Sequence, residues 1–229
     1  HSQCMDLVLL SSKGQLEMYR QAGCPKVAYW QVSVARDMQF PVEELPWSRR
    51  QDGIVFCGGN YNFPASAERL SLIQRLSRTY GDFYVYGEGW GTQNVRALGV
   101  IPYLEQTPRY HRAKLSIGFN NFNDVEWYFS DRQLVAMAAG TCHVCHYIPG
   151  LEDIFIDGVH CMFYRNEDEC VERINWLLEH EEERKAIGKA GQRIVWEKHT
   201  WETRVLEYMT LLREHCSPVF ANEGSSSLA

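Results

Sequence analysis

The sequence predicts an α/β fold, a Rossmann-like, doubly wound parallel sheet. Two observations predict it. Short apolar runs at residues 54–57, 83–86, 115–119 and 142–147 alternate with amphipathic stretches. Strands that are apolar on every residue belong to parallel sheets covered on both faces. Glycine-bearing turns also follow several runs directly, and ligands of such sheets bind outside the carboxyl ends of the strands.

The elements follow in order. Residues 5–10 read as a strand, 14–21 as a short helix closed by Gly23, and 26–30 as the next strand, which together make one β-α-β unit. Residues 40–50 carry two prolines and no periodicity, as a linker does. A second alternation then begins. It has strands at 54–57, 83–86, 115–119, 142–147 and 161–164, and helices at 66–80, 108–113, 131–139 and 151–155. Residues 100–104 are short and apolar. Three helices close the chain. The first starts at Asn166 with Glu169 three residues on, a capping-box pattern. The second carries Ile187, Ala190, Ile194 and Val195, and the third follows Thr200. The Gly/Ser-rich residues 217–229 read as a disordered tail. Residues 1–50 form one unit with the linker, and residues 51–216 the main domain.

Composition narrows the function. The 229 residues carry a net charge of -6. Such an acidic chain without a basic cluster is unsuited to nucleic acid or an anionic membrane, yet a few local cations can still hold a phosphate. No apolar run reaches the roughly 20 residues of a membrane span. Residues 1–11 lack the basic start of a secretory leader. The eight cysteines lie partly inside apolar strands, where a free thiol behaves as a small hydrophobe. The expectation is reduced thiols and a cytoplasmic setting.

Four loops at the strand ends carry chemistry. Gly58, Gly59 and Asn60 follow the first strand of the main domain, where glycines let a ligand approach the backbone. Gly87, Glu88 and Trp90 offer a carboxylate between glycines and an indole for stacking. Ser130 caps the next helix, and Arg132 stands in its first turn, where the helix dipole also favours an anion. Gly150 and Glu152 present a glycine and an acid at a short helix start. Each has a plainer reading as a tight turn, a core-covering indole, a solvated arginine or a helix-start acid. Cys142, His143, Cys145 and His146 match a haem-attachment or zinc pattern. In a strand, however, Cys142 and Cys145 point to opposite faces. His199 reads as a helix-junction residue.

The stretches IVFCGGNYN, VYGEGW, SDRQLVAMAAGTCHVCHYIPGLEDIFIDGVHCMFY and RKAIGKAGQRIVWEKHTWETRVLEYM resemble the C-terminal domain of the GT-B glycosyltransferases. They look most like the spore-protein-like branch of the group 1 glycosyl transferases. The resemblance implies the C-terminal, nucleotide-sugar-binding half of a GT-B fold over residues 52–213, with residues 1–50 a remnant of the N-terminal Rossmann-like domain. It implies a hexosyltransferase that takes its sugar from a nucleoside diphosphate sugar, with no metal and no other cofactor. The acceptor (a glycan, a protein or a small molecule) stays open, as does the catalytic residue. It places Gly58, Gly59 and Asn60 by the diphosphate, and Gly87, Glu88, Trp90 and the Leu104 backbone by the base. Ser130 and Arg132 fall at the phosphate-facing helix, and Gly150 and Glu152 near the sugar. The chain also departs from the family. Val135 and Trp127 stand where many members carry a pair of glutamates, and the Arg and Lys that often follow the Gly-Gly loop are missing, Arg69 being the nearest cation. With most of the N-terminal domain absent, the fragment is expected to be weakly active or inactive. The alternative is a non-catalytic binding or assembly module on a degenerate GT-B fold.

Overall fold

The computed structural model describes residues 4–39, 50, 52–91 and 94–216. Two parallel sheets are present. The smaller pairs β1 (Val8–Leu10) with β2 (Val27–Tyr29) around helix α1 (Leu16–Gln21). Gly23 ends α1 at a φ of 88°, with its N–H on the Arg20 carbonyl and the Cys24 N–H on that of Tyr19. A left-handed residue at this place is the usual reason a helix ends on glycine.

The larger sheet has strands β3 (Asp52–Cys57), β4 (Phe83–Tyr86), β5 (Ala113–Gly118), β6 (Cys142–His146) and β7 (Met162–Tyr164). Their spatial order is β4-β3-β5-β6-β7, all parallel. The apolar strands bury both faces, as expected. Alternate residues feed two cores: Ile54 and Phe56 one side, Val55 and Cys57 the other. Helices α3 (Ser66–Thr79) and α6 (Glu167–Glu179) cover the first face. Helices α4 (Gln106–Arg112) and α5 (Asp131–Ala138) cover the second. Helix α7 (Glu181–Lys198) contributes Ile187 to one core and Val195 to the other. Cys142 and Cys145 fall in opposite cores, both fully buried. They are packing residues and converge on no common ligand.

The caps are mostly those the sequence calls for. The Glu169 N–H donates to Asn166 Oδ1 at 2.9 Å, and the Glu169 carboxylate accepts from the Arg165 N–H at 2.8 Å. His199 closes α7, buried and facing Arg204 at 2.9 Å. Burial first, then the Arg204 charge, pulls its pKa down to about 4. Three expectations shift. Residues 151–155 form a single 3-10 turn, Leu151–Asp153. An unexpected helical turn, α2 (Arg36–Gln39), follows β2. Residues 100–104 are largely exposed and end in a 3-10 turn, Tyr103–Glu105. The expected linker at 40–50 lies outside the described residues save Arg50, which is buried and donates to the Gly140 carbonyl at 2.8 Å. The expected tail at 217–229 also lies outside them.

The last helix, α8 (Trp201–His215), returns to the small sheet. The Trp30 indole N–H donates to the Arg204 carbonyl at 2.9 Å, and Val34 bridges Thr200. At the other end, the Gly14 N–H donates to the Glu126 carbonyl at 3.1 Å.

Candidate anion site at the carboxyl rim

Four loops leave the carboxyl ends of β3, β4, β5 and β6 on one rim. The first two are zipped together. The Gly58 N–H donates to the Tyr86 carbonyl and the Asn60 N–H to that of Glu88, both at 2.8 Å. The Asn60 side chain adds a bond to the Gly89 carbonyl at 3.0 Å. This closeness explains the glycines. A Cβ on Gly87 would lie 2.2 Å from the Gly58 oxygen, and one on Gly89 2.1 Å from the Asn60 oxygen, with φ of 147° and 81°. The glycines therefore admit the neighbouring loop. Of the three amides in the Gly58–Asn60 segment, only that of Gly59 has no hydrogen bond among the described residues.

Trp90 requires a correction. It is 1% exposed, stands edge-on to Phe56 and donates its indole N–H to the Gly58 carbonyl at 2.8 Å. It holds the rim from beneath and offers no face to a base. Glu88, on the same loop, is exposed.

Arg69 is also structural. It is fully buried and donates to the carbonyls of Gly59 and Phe119, each at 3.0 Å, and to Asn121 Oδ1 at 2.8 Å. Its guanidinium lies 4.1 Å from the centre of the Phe63 ring. Burial, and next the charge of Arg132, pulls its pKa down to about 10. At that value it stays charged at neutral pH.

Arg132 is half-buried, in the first turn of α5. With Cys57, Gly118, Asn120, Ser130 and His143 it lines a small hollow between the ends of β3 and β5. Neither Arg69 nor Arg132 forms an ion pair among the described residues. The neighbouring Asp131 instead engages the Tyr103 phenol, whose pKa is raised by burial and then by that carboxylate. Leu104, next to Tyr103, is thus brought to the start of α5 and is exposed. Ser130 occupies the N-cap position, yet its hydroxyl makes no capping bond. The Asn120 carboxamide takes the Ser130 N–H instead, at 3.1 Å. The first-turn amides of a helix have no partners inside it, and the dipole adds partial positive charge there. Unpaired cation, open hydroxyl and helix start together make an anion-receptive corner.

On the fourth loop, Gly150 adopts a φ of 79°, and a Cβ there would meet the Trp127 indole at 2.3 Å. It is glycine because of Trp127. Glu152 is exposed and accepts from the Tyr147 hydroxyl at 3.1 Å. The hollow thus brings Ser130 and Arg132 together, with the Gly59 turn on another loop of the same rim and Glu88, Leu104 and Glu152 exposed on the loops. The sequence gives no sign that Asn120 orients the start of α5, because its partner lies on another element.

This fold and rim define an α/β, Rossmann-like domain with an anion-receptive corner at a helix start. The profile of the glycosyl transferase-like family matches residues 69–210, more than half of the chain, and the chain belongs to that family. No curated protein sequence matches it. Its structure is similar to sucrose-phosphate synthase from Thermosynechococcus elongatus, with a TM-score of 0.68 at 17% identity over 95% of this chain and 60% of the synthase. It is similar to Anabaena HepE in complex with UDP and glucose, with a TM-score of 0.70 at 14% identity over 92% of this chain and 64% of HepE. It is also similar to the C-terminal domain of LpcC, a group 1 glycosyl transferase from Francisella tularensis. There the TM-score is 0.56 at 14% identity, covering 73% of this chain and 99% of that domain. These likenesses show the GT-B fold, and the chain spans less than two thirds of the synthase and of HepE.

Proposed function

We propose that this chain is the nucleotide-sugar-binding part of a glycosyltransferase of the hexosyltransferase type. Residues 51–216 form the donor domain, and residues 1–50 are the end of an N-terminal Rossmann-like domain plus the linker. The single observation that carries this reading is Arg132, a cation at the start of α5 with no acidic partner among the described residues, in one hollow with Ser130, whose hydroxyl makes no capping bond. Family membership points the same way, as do the solved complex of HepE with UDP and glucose and the match to an isolated C-terminal domain.

In this reading Arg132, Ser130 and the Gly59 amide hold the diphosphate and stabilise it as it departs. Fixed dipoles and a guanidinium supply that stabilisation without a metal. Glu88 and the Leu104 backbone flank the base, and Glu152, braced by Tyr147, orients the sugar. The acceptor is a glycan, protein or small molecule that meets the site from the N-terminal side. No described helix is long and apolar enough to cross a membrane.

Val135 favours a second reading, a binding or assembly module without turnover. It stands where many family members carry a glutamate, and it is 0% exposed inside the core, so no acid reaches ribose from that position. Calorimetry with UDP, GDP and ADP separates the outcomes. Micromolar binding of one of them, lost in Arg132→Ala, supports a donor site. Absence of binding to all three rejects it. Single-turnover assays with the matching nucleotide sugar then distinguish the enzyme from the module.

A further inference from the structure

Trp127 departs further from ordinary chemistry than its neighbours on the rim. Its φ is 57°, a true outlier for a bulky side chain. Its indole N–H is buried and finds no acceptor among the described residues. Such features are costly and persist only where the surroundings impose them, most often at ligand sites.

The surroundings do impose them. The Trp127 N–H donates to the Pro149 carbonyl at 3.0 Å, and its carbonyl accepts from Gln31 Nε2 at 3.2 Å. The Lys13 ammonium lies 3.3 Å from the centre of the indole, and the Tyr29 ring meets it edge-on at 5.1 Å. The indole edge presses on Gly150 so closely that a Cβ there would be 2.3 Å from Cδ1 and Nε1. Trp127 also precedes Ser130 by three residues and is bonded to the loop that carries Glu152. A ligand anchored on Ser130 and Arg132 and extended towards Glu152 would run along the loop on which this ring packs.

We propose that Trp127 is a specificity-determining residue of the rim. Its indole fills the room beside Gly150, so the site takes a nucleoside diphosphate in preference to the same nucleotide carrying a hexose. The inference rests on the donor-site reading given above. Lys13 holds the ring in place through its charge on the ring face. A hexose seats only when the indole swings off Gly150. That movement breaks the Lys13 contact and couples sugar binding to the β1-α1-β2 unit.

The test is calorimetry on the full chain with UDP, GDP and ADP and with the glucose conjugate of each, in the wild type, Trp127→Gly and Lys13→Met. Glycine suits the positive φ at 127, and Lys13→Met keeps the indole but removes the charge on its face should the first variant fold poorly. In the wild type, the diphosphate that binds is expected to do so about tenfold or more tighter than its glucose conjugate. Trp127→Gly is expected to bring the two within about twofold, and Lys13→Met to move the ratio part of the way. Equal affinities in the wild type, or a ratio unchanged in Trp127→Gly, would overturn the proposal while leaving the donor site standing. Failure of every diphosphate to bind all three proteins would overturn the donor site and this inference with it.

Discussion

The Arg69 guanidinium donates to the Gly59 carbonyl at 3.0 Å and to the Phe119 carbonyl at 3.0 Å. One buried side chain thus ties the turn after β3 to the turn after β5. The cation nearest in sequence to the Gly-Gly turn shapes the rim from behind, and Arg132 supplies the charge at its open side.

Arg69→Met should therefore destabilise the fold. It strips buried carbonyls and Asn121 of their donor, and unpaired buried acceptors cost 1–3 kcal/mol each. The expected loss is about 3 kcal/mol in equilibrium denaturation. Arg132→Met, made beside it, should stay within about 1 kcal/mol of the wild type, because Arg132 is half-buried and makes no hydrogen bond or ion pair among the described residues. Equal losses in the two variants would contradict this division of roles.

The loop zipper makes a second prediction. Gly87→Ala and Gly89→Ala each place a methyl group against a backbone oxygen, at 2.2 and 2.1 Å, on a positive φ. Each should cost about 2 kcal/mol or more. Gly91→Ala meets nothing within 4 Å among the described residues and should cost less than about 1 kcal/mol. Thermal melts of the three variants compare them directly.

Stability should fall as the solution is acidified. Burial pulls the His143 pKa down to about 3, and burial with Arg204 pulls that of His199 down to about 4, from an ordinary 6.5. Above about pH 6.5 both are neutral in either state, and neither affects stability. Below it the unfolded chain binds protons that the folded chain refuses, so stability drops as pH falls towards about 4. Each histidine should contribute about 1–2 kcal/mol of loss between pH 7 and 5. Urea titrations at several pH values check this, and His199→Gln should flatten the slope.

Trp90→Phe removes the bond to the Gly58 carbonyl and keeps most of the buried ring. It should cost about 1–2 kcal/mol of stability, and any nucleotide affinity should fall less than it does in Arg132→Ala. A loss of binding as large as that of Arg132→Ala, in a protein that melts normally, would restore a contact between Trp90 and the base.

Much of the fold is legible in the sequence because its signals are local. Continuous apolar runs mark β3 and β6 as buried strands, Asn166 and Glu169 mark a helix start, and Gly23 marks a helix end. The rim is less legible because its meaning depends on partners far along the chain. A glycine reads the same whether it admits a phosphate or, as at Gly87, another loop. An indole after such a turn reads the same whether it faces a base or, as at Trp90, stands on Phe56. Residues 100–104 are apolar yet largely exposed, with Ile101 half-buried against the core, since apolarity alone does not say which face is covered. The left-handed backbone of Trp127 has no sequence signal at all, for it is imposed by Pro149, Gln31 and Gly150.

The most direct test is a crystal structure of the chain with the nucleoside diphosphate it binds best. The account predicts phosphate oxygens within about 3 Å of the Arg132 guanidinium, with the Ser130 hydroxyl and the Gly59 N–H completing the cradle. A diphosphate bound elsewhere on the molecule, or bound at this rim without touching Arg132, would contradict it.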